Sequence, residues 1–129
     1  MPVKFYTSAG QPFSDPAVEA AYRAARAIGV VRVGGGRLFF RAGLRVYALE
    51  AGELRRCYRR VMRVPMKLCC GEGSLDVETL VVEGEVGELA SVQLPGTRAA
   101  RALMEALAAA FPGVALTPPE RPESPEANA

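Results

Sequence analysis

Histidine is absent from this chain, and so is tryptophan. Without histidine there is no Ser-His-Asp or Cys-His catalysis, and most zinc ligand sets are excluded as well. Cysteines are few: Cys57, Cys69 and Cys70. The adjacent pair Cys69–Cys70 lacks the spacing of a metal knuckle, and Cys57 adds only one further ligand, so these thiols read as inert and reduced, with no metal and no cofactor. An odd cysteine count and a start, Met1 to Gly10, with no apolar signal core lead to the expectation of a cytoplasmic protein. No apolar run approaches the length of a membrane span. Charge of one sign is not in large excess either. The net charge is +2, well short of a dedicated nucleic-acid binder.

What is present suits one domain: 129 residues, half of them apolar. Residues 3–7 read as a short strand. Ser14 or Asp15 followed by Pro16 is a helix start, and Val18, Tyr22, Ala25 and Ile28 fall on one helical stripe, which predicts a helix over about 15–28 closed by Gly29. From Val30 the period changes to that of strands. VVRV, RLFFR and LRVYAL are short, rich in β-branched and aromatic residues, and separated by Gly34–Gly36 and Ala42–Gly43. A longer strand is expected from about Arg55 to Val64, interrupted by Pro65, with a short strand in MKLCC, a turn at Gly71–Ser74 and a hairpin around Gly84–Gly87. The sheet spans about 30–94. Ala100, Leu103, Met104, Leu107 and Phe111 then mark an amphipathic helix over about 97–111, with Thr97 as its cap and Pro112–Gly113 as its stop. The domain is expected to cover 1–116. Residues 117–129, rich in proline and glutamate, have almost nothing to bury and are expected to be a disordered tail.

Consecutive strands with helices at the ends indicate an α+β fold. The expected form is a bent antiparallel β-sandwich or partly open barrel of six to seven strands, capped by the C-terminal helix, with an extra N-terminal helix.

The strands VVRV, GRLFFR and LRVYAL, the segment ALEAGELRRCYRRV, and the ending LASVQLPGTRAARALMEALAAAF together resemble the bacterial pleckstrin-homology-like domains and their GRAM-like relatives, over about residues 30–112. The resemblance implies a bent antiparallel sandwich closed at one end by its last helix. It also implies a binding or scaffolding module rather than an enzyme. Some members of the wider group bind inositol phospholipids through basic residues of the first two strands. Here those strands offer only Arg32, Arg37 and Arg41, so lipid binding is not carried over.

Two features point to surfaces. The first is the basic segment Arg55, Arg56, Arg59, Arg60, Arg63 and Lys67. In a strand, Arg55, Arg59 and Arg63 share one face. They form either an anion site for phosphates of nucleic acid or acidic lipid headgroups, or one side of cross-strand ion pairs with Asp76 and Glu78. The second is the hairpin RLFFR–LRVYAL, which is apolar on both faces. Phe39 and Val46 on its outer face need a cover, either the N-terminal helix or a second subunit. The functional expectation is therefore a non-enzymatic interaction module for a protein partner or a homodimer. Anion binding through the arginine strand is the alternative, and a small-molecule carrier with a ligand inside the barrel is a third option.

Overall fold

In the computed structural model, residues 3–69 and 71–118 are described, together with the side chains of all of these except Met66 and Leu68. The chain is α+β. Two sheets face each other across an apolar core, with a helix at each end of the sequence. Neither sheet closes on itself into a barrel.

The chain opens with two short strands, β1 (Phe5–Tyr6) and β2 (Pro12–Phe13), followed by helix α1 (Pro16–Ala24). Asp15 caps α1, its Oδ1 accepting the Ala17 amide at 2.8 Å. The helix ends four residues short of the span expected from its apolar stripe. Arg26–Ile28 is instead a strand, β3, paired with β4 (Val31–Gly34). The reason is tertiary. Pairing sends Ile28 into the core between the sheets, which outweighs the helical preference of Ala24–Ala27. Gly29 does not stop the helix. It sits at φ +62° in the β3–β4 turn, where Pro95 lies 3.1 Å from the position of a side-chain carbon.

Strands β5 (Arg37–Ala42) and β6 (Arg45–Glu50) complete a sheet of order β2-β1-β6-β5-β4-β3. It is antiparallel apart from β1, which runs parallel to β6. After a single 3₁₀ turn (Ala51–Glu53) the chain crosses to the second sheet, β7 (Arg56–Leu68), β8 (Gly71–Glu83) and β9 (Glu88–Leu94). The strands from Arg26 to Leu94 thus number seven, four in the first sheet and three in the second. Helix α2 (Thr97–Ala110) follows directly. Thr97 is its first residue, and Gly96 holds the cap position without a side-chain bond.

The inner faces of both sheets and one side of α2 make the main core. Val31, Leu38 and Leu49 come from the first sheet, Cys57, Leu80 and Val92 from the second, and Leu103, Leu107 and Phe111 from α2. Period-two alternation in the strands and the i, i+3, i+4 spacing in α2 deliver these residues to one volume. The opposite face of the first sheet is covered by α1. Phe5, Val18, Phe39 and Ala48 are buried there, and the Tyr22 ring meets Phe5 at 5.5 Å and Phe39 at 5.2 Å, edge-on in both cases.

Phe39 is fully buried in this second core and Val46 is half-buried against it. The two-sided apolar hairpin is thus satisfied within the chain, and the surface expected at Phe39 and Val46 is not open to a partner. The tail from residue 119 onward lies outside the described residues.

Candidate interaction surface

Pro65 does not interrupt its strand, and Gly71–Ser74 is not a turn. β7 and β8 pair without a break from Arg56↔Glu83 to Leu68↔Gly71, leaving only residues 69 and 70 as the connection. The physical reason lies in which way the backbone groups point. The Cys57 amide donates to the Ala115 carbonyl at 2.8 Å, and the Arg55 carbonyl accepts from the Ala115 amide at 3.1 Å. Residue 115 is on the side of β7 away from β8. Along a strand these groups alternate sides, so odd-numbered residues of β7 aim outward and even-numbered ones aim at β8. Pro65 is odd-numbered. Its missing donor falls on the outer edge, where a proline is tolerated.

β9 pairs with β8 only from Glu78 to Glu83. Beyond Glu78 the β7–β8 hairpin has no third strand beside it among the described residues. It extends as a two-stranded arm, Met62–Leu68 with Gly71–Val77, about 20 Å long at roughly 3.3 Å per residue.

The arm inverts the polarity of its two faces. At the root, the odd-numbered face carries Cys57 with Val82 and Leu80 into the core. Farther out, that same face carries Val61, 49 % exposed, opposite Glu78, then Arg63 opposite Asp76 and Lys67 opposite Glu72. The even-numbered face carries Met62 opposite Val77 and Val64 opposite Leu75. Met62 and Leu75 are each 50 % exposed and Val64 is 39 % exposed. This uncharged, solvent-facing stripe has no cover among the described residues.

The three arginines expected to act together are each engaged differently. Arg55 precedes β7 and donates from Nη1 to the Gly52 carbonyl at 2.7 Å. Arg59 is ion-paired with Glu78. Arg63 meets Asp76 at 3.2 Å, with both side chains exposed. The Asp76 and Glu78 pairing thus holds for Arg59 and Arg63 but not for Arg55. Glu78 is 4 % exposed, and its Oε2 has no hydrogen-bond partner among the described residues, so its charge leans on Arg59. Arg60 lies on the other face and reaches Ser91 Oγ at 3.4 Å. Arg56 donates to the Thr117 carbonyl at 2.6 Å and lies 3.8 Å from Glu83.

Cys57 sits at the root of the arm, fully buried, and burial pushes its thiol up to about 11. Cys69, at the tip, is exposed. Among the described residues no group of three or more potential ligands stands where it could hold a metal. A cleft of about 350 Å³ opens between β5–β6 and β9, beside the stacked rings of Phe40 and Tyr47, whose centroids are 5.1 Å apart. It carries no charged side chain among its lining residues. Among the described residues no helix is long and apolar enough to cross a membrane.

Comparison with protein-family models, with curated proteins and with solved structures finds no match to this chain.

Met62 and Val64 fall on one strand face in the sequence alone, but their continuation onto Leu75 and Val77 is hidden because Pro65 and Gly71–Ser74 read as breaks. The alternation of Met62 and Val64 on one strand, with Leu75 and Val77 on the next, is visible once β7 is continued through the proline.

Proposed function

We propose that this protein is a non-enzymatic interaction module of the pleckstrin-homology-like kind, and that it engages a protein partner through the β7–β8 arm. The observation that carries this reading is the uncharged stripe of Met62, Val64 and Leu75, held out in solvent on a two-stranded projection. A chain gains no stability by displaying such a stripe, and contiguous exposed apolar groups are characteristic of interaction sites. Anion binding is the weaker reading, because Arg59 and Arg63 already face carboxylates and Arg55 is held by backbone carbonyls.

Site-specific photo-crosslinking in the producing cell tests this. A photoreactive residue is placed at position 62 or 75 on the arm, and at Leu44 or Val86, two fully exposed apolar residues elsewhere, as controls. The expected result is one recurrent adduct from the arm positions, absent from the controls and lost when Val64→Lys charges the stripe. Equal labelling at all four positions, or none, contradicts the proposal.

A further inference from the structure

Besides its apolar face, the arm has an open backbone edge. From Cys57 on, the odd-numbered residues of β7 aim their amide and carbonyl groups away from β8, as the Cys57 amide bond to Ala115 establishes. Before the strand, the Arg55 carbonyl also points outward, while its amide donates to the Glu83 carbonyl of β8 at 2.9 Å. Past Cys57 no strand pairs with that edge among the described residues. The chain's own C-terminal segment pairs with it in parallel register at Ala115↔Arg56, and residues 116–118 add no further pairing. Its sequence continues Thr117, Pro118, Pro119, and prolines have no donor for a ladder. The open donors of Arg59, Val61 and Arg63 follow, before Pro65 removes the next one.

We infer that this edge, over Arg59–Arg63, accepts an extended segment of the partner protein that is acidic and apolar at alternate positions. The inference rests on the arm reading above and specifies how the arm is used. A strand laid beside β7 places its alternate side chains on the two faces of the arm. On the odd face its neighbours are Arg59, Val61 and Arg63. Glu78 and Asp76 balance the charges of the two arginines, but the remaining guanidinium N–H donors can still donate to a partner carboxylate and offer a cation nothing. Each guanidinium has five donors, so Arg59 and Arg63 can hold Glu78 and Asp76 on one side and a partner carboxylate on the other. On the even face the intervening residues fall beside Met62 and Val64, where apolar side chains cover the exposed stripe. A second copy does not fit. Antiparallel pairing of β7 with β7 would set one row of Arg59, Arg63 and Lys67 against another, which is how edge strands avoid self-association.

The test is a titration of the full chain with fluorescently labelled peptides, read by anisotropy. One peptide alternates Glu and Val, and its counterpart alternates Lys and Val. The Glu–Val peptide is expected to bind, and the Lys–Val peptide to bind more weakly by about tenfold or more, the worth of one or two charge-assisted contacts. Val61→Pro deletes an outward donor without touching the β7–β8 ladder. It is expected to weaken the Glu–Val peptide by about tenfold, the worth of one to two net hydrogen bonds, while the circular dichroism melt stays that of the parent. Equal binding of the two peptides, no binding of the Glu–Val peptide, or indifference to Val61→Pro in a folded variant overturns the inference. If the peptide fails while crosslinks from position 62 persist, strand addition is refuted and the arm reading stands. If the crosslinks fail too, both are refuted.

Discussion

The amide of Cys57 donates to the carbonyl of Ala115 at 2.8 Å, fixing residue 115 beside β7 on the side away from β8. This contact decides the polarity of the whole strand. It makes odd positions outward and places Pro65 where a missing donor costs nothing, and among the described residues nothing pairs with the edge from Arg59 to Arg63. Proline scanning reads this out. Val61→Pro is expected to cost no more than about 1 kcal/mol, the scale of ordinary substitutions away from buried features. Met62→Pro removes a ladder bond and is expected to cost about 3 kcal/mol or more. Denaturant midpoints that fall equally for the two would show that the alternation is assigned to the wrong side.

The two arm ion pairs differ in worth because only one involves a buried partner. Arg63→Gln breaks an exposed pair and is expected to cost at most about 1 kcal/mol. Arg59→Gln leaves the Glu78 carboxylate buried without its counter-charge and is expected to cost more, about 1–3 kcal/mol. Adding Glu78→Gln to Arg59→Gln should restore part of the loss. Chemical denaturation of the parent, Arg59→Gln, Glu78→Gln and the double variant gives the cycle, and an Arg63→Gln cost equal to that of Arg59→Gln would contradict the burial argument.

The same pairing bears on polyanions. With Arg59 and Arg63 facing carboxylates, heparin or an oligonucleotide is expected to bind weakly or not at all at physiological salt. Replacing Arg55, Arg59 and Arg63 by glutamine should change little. Tight binding that falls steeply with salt and disappears in the triple variant would favour the anion reading.

Helix α2 was legible almost to the residue, since Ala100, Leu103, Leu107 and Phe111 repeat at helical spacing and all four are buried. The start of α1 at Ser14 or Asp15 and the turns at Gly34–Gly36 and Ala42–Gly43 were legible for the same kind of reason, because local chemistry dictates them, and the structure selects Asp15 as the cap. The failures share one cause. Arg26–Ile28 continues a helical composition yet pairs as a strand because Ile28 is needed in the core. Pro65 carries a breaker's composition yet sits inside a thirteen-residue strand because its nitrogen faces the open edge. Both depend on which partner lies alongside, which no local pattern contains. The cover over Phe39 was foreseeable as a need, but only the packing of α1 and β1 decides between a helix and a second subunit.

Leu107 is fully buried where α2 closes the sandwich. Leu107→Ala is expected to cost about 2–5 kcal/mol. An unchanged thermal or denaturant midpoint would contradict the role of α2 as the closing element.

Burial of Cys57 sets a pH dependence at the alkaline end. Its folded pKa, raised to about 11, lies above the ordinary thiol value of 9.0, so the unfolded chain loses this proton first. Above about pH 9 the native state binds more protons than the unfolded state, and stability falls as pH rises toward 11. At pH 8 an alkylating reagent should modify Cys69 and leave Cys57 untouched, read by peptide mass spectrometry. Substitution of Cys57 by alanine should flatten the stability loss between pH 9 and 11.

Residue-resolved amide hydrogen exchange tests the open edge most directly. In the free protein the amides of Arg59, Val61 and Arg63 should exchange rapidly while those of Arg60, Met62 and Val64 are protected by β8. Addition of the Glu–Val peptide should slow the first set and leave the second unchanged. Protection of Val61 and Arg63 already equal to that of Met62 in the free protein, or no slowing on saturation with peptide, would contradict the account.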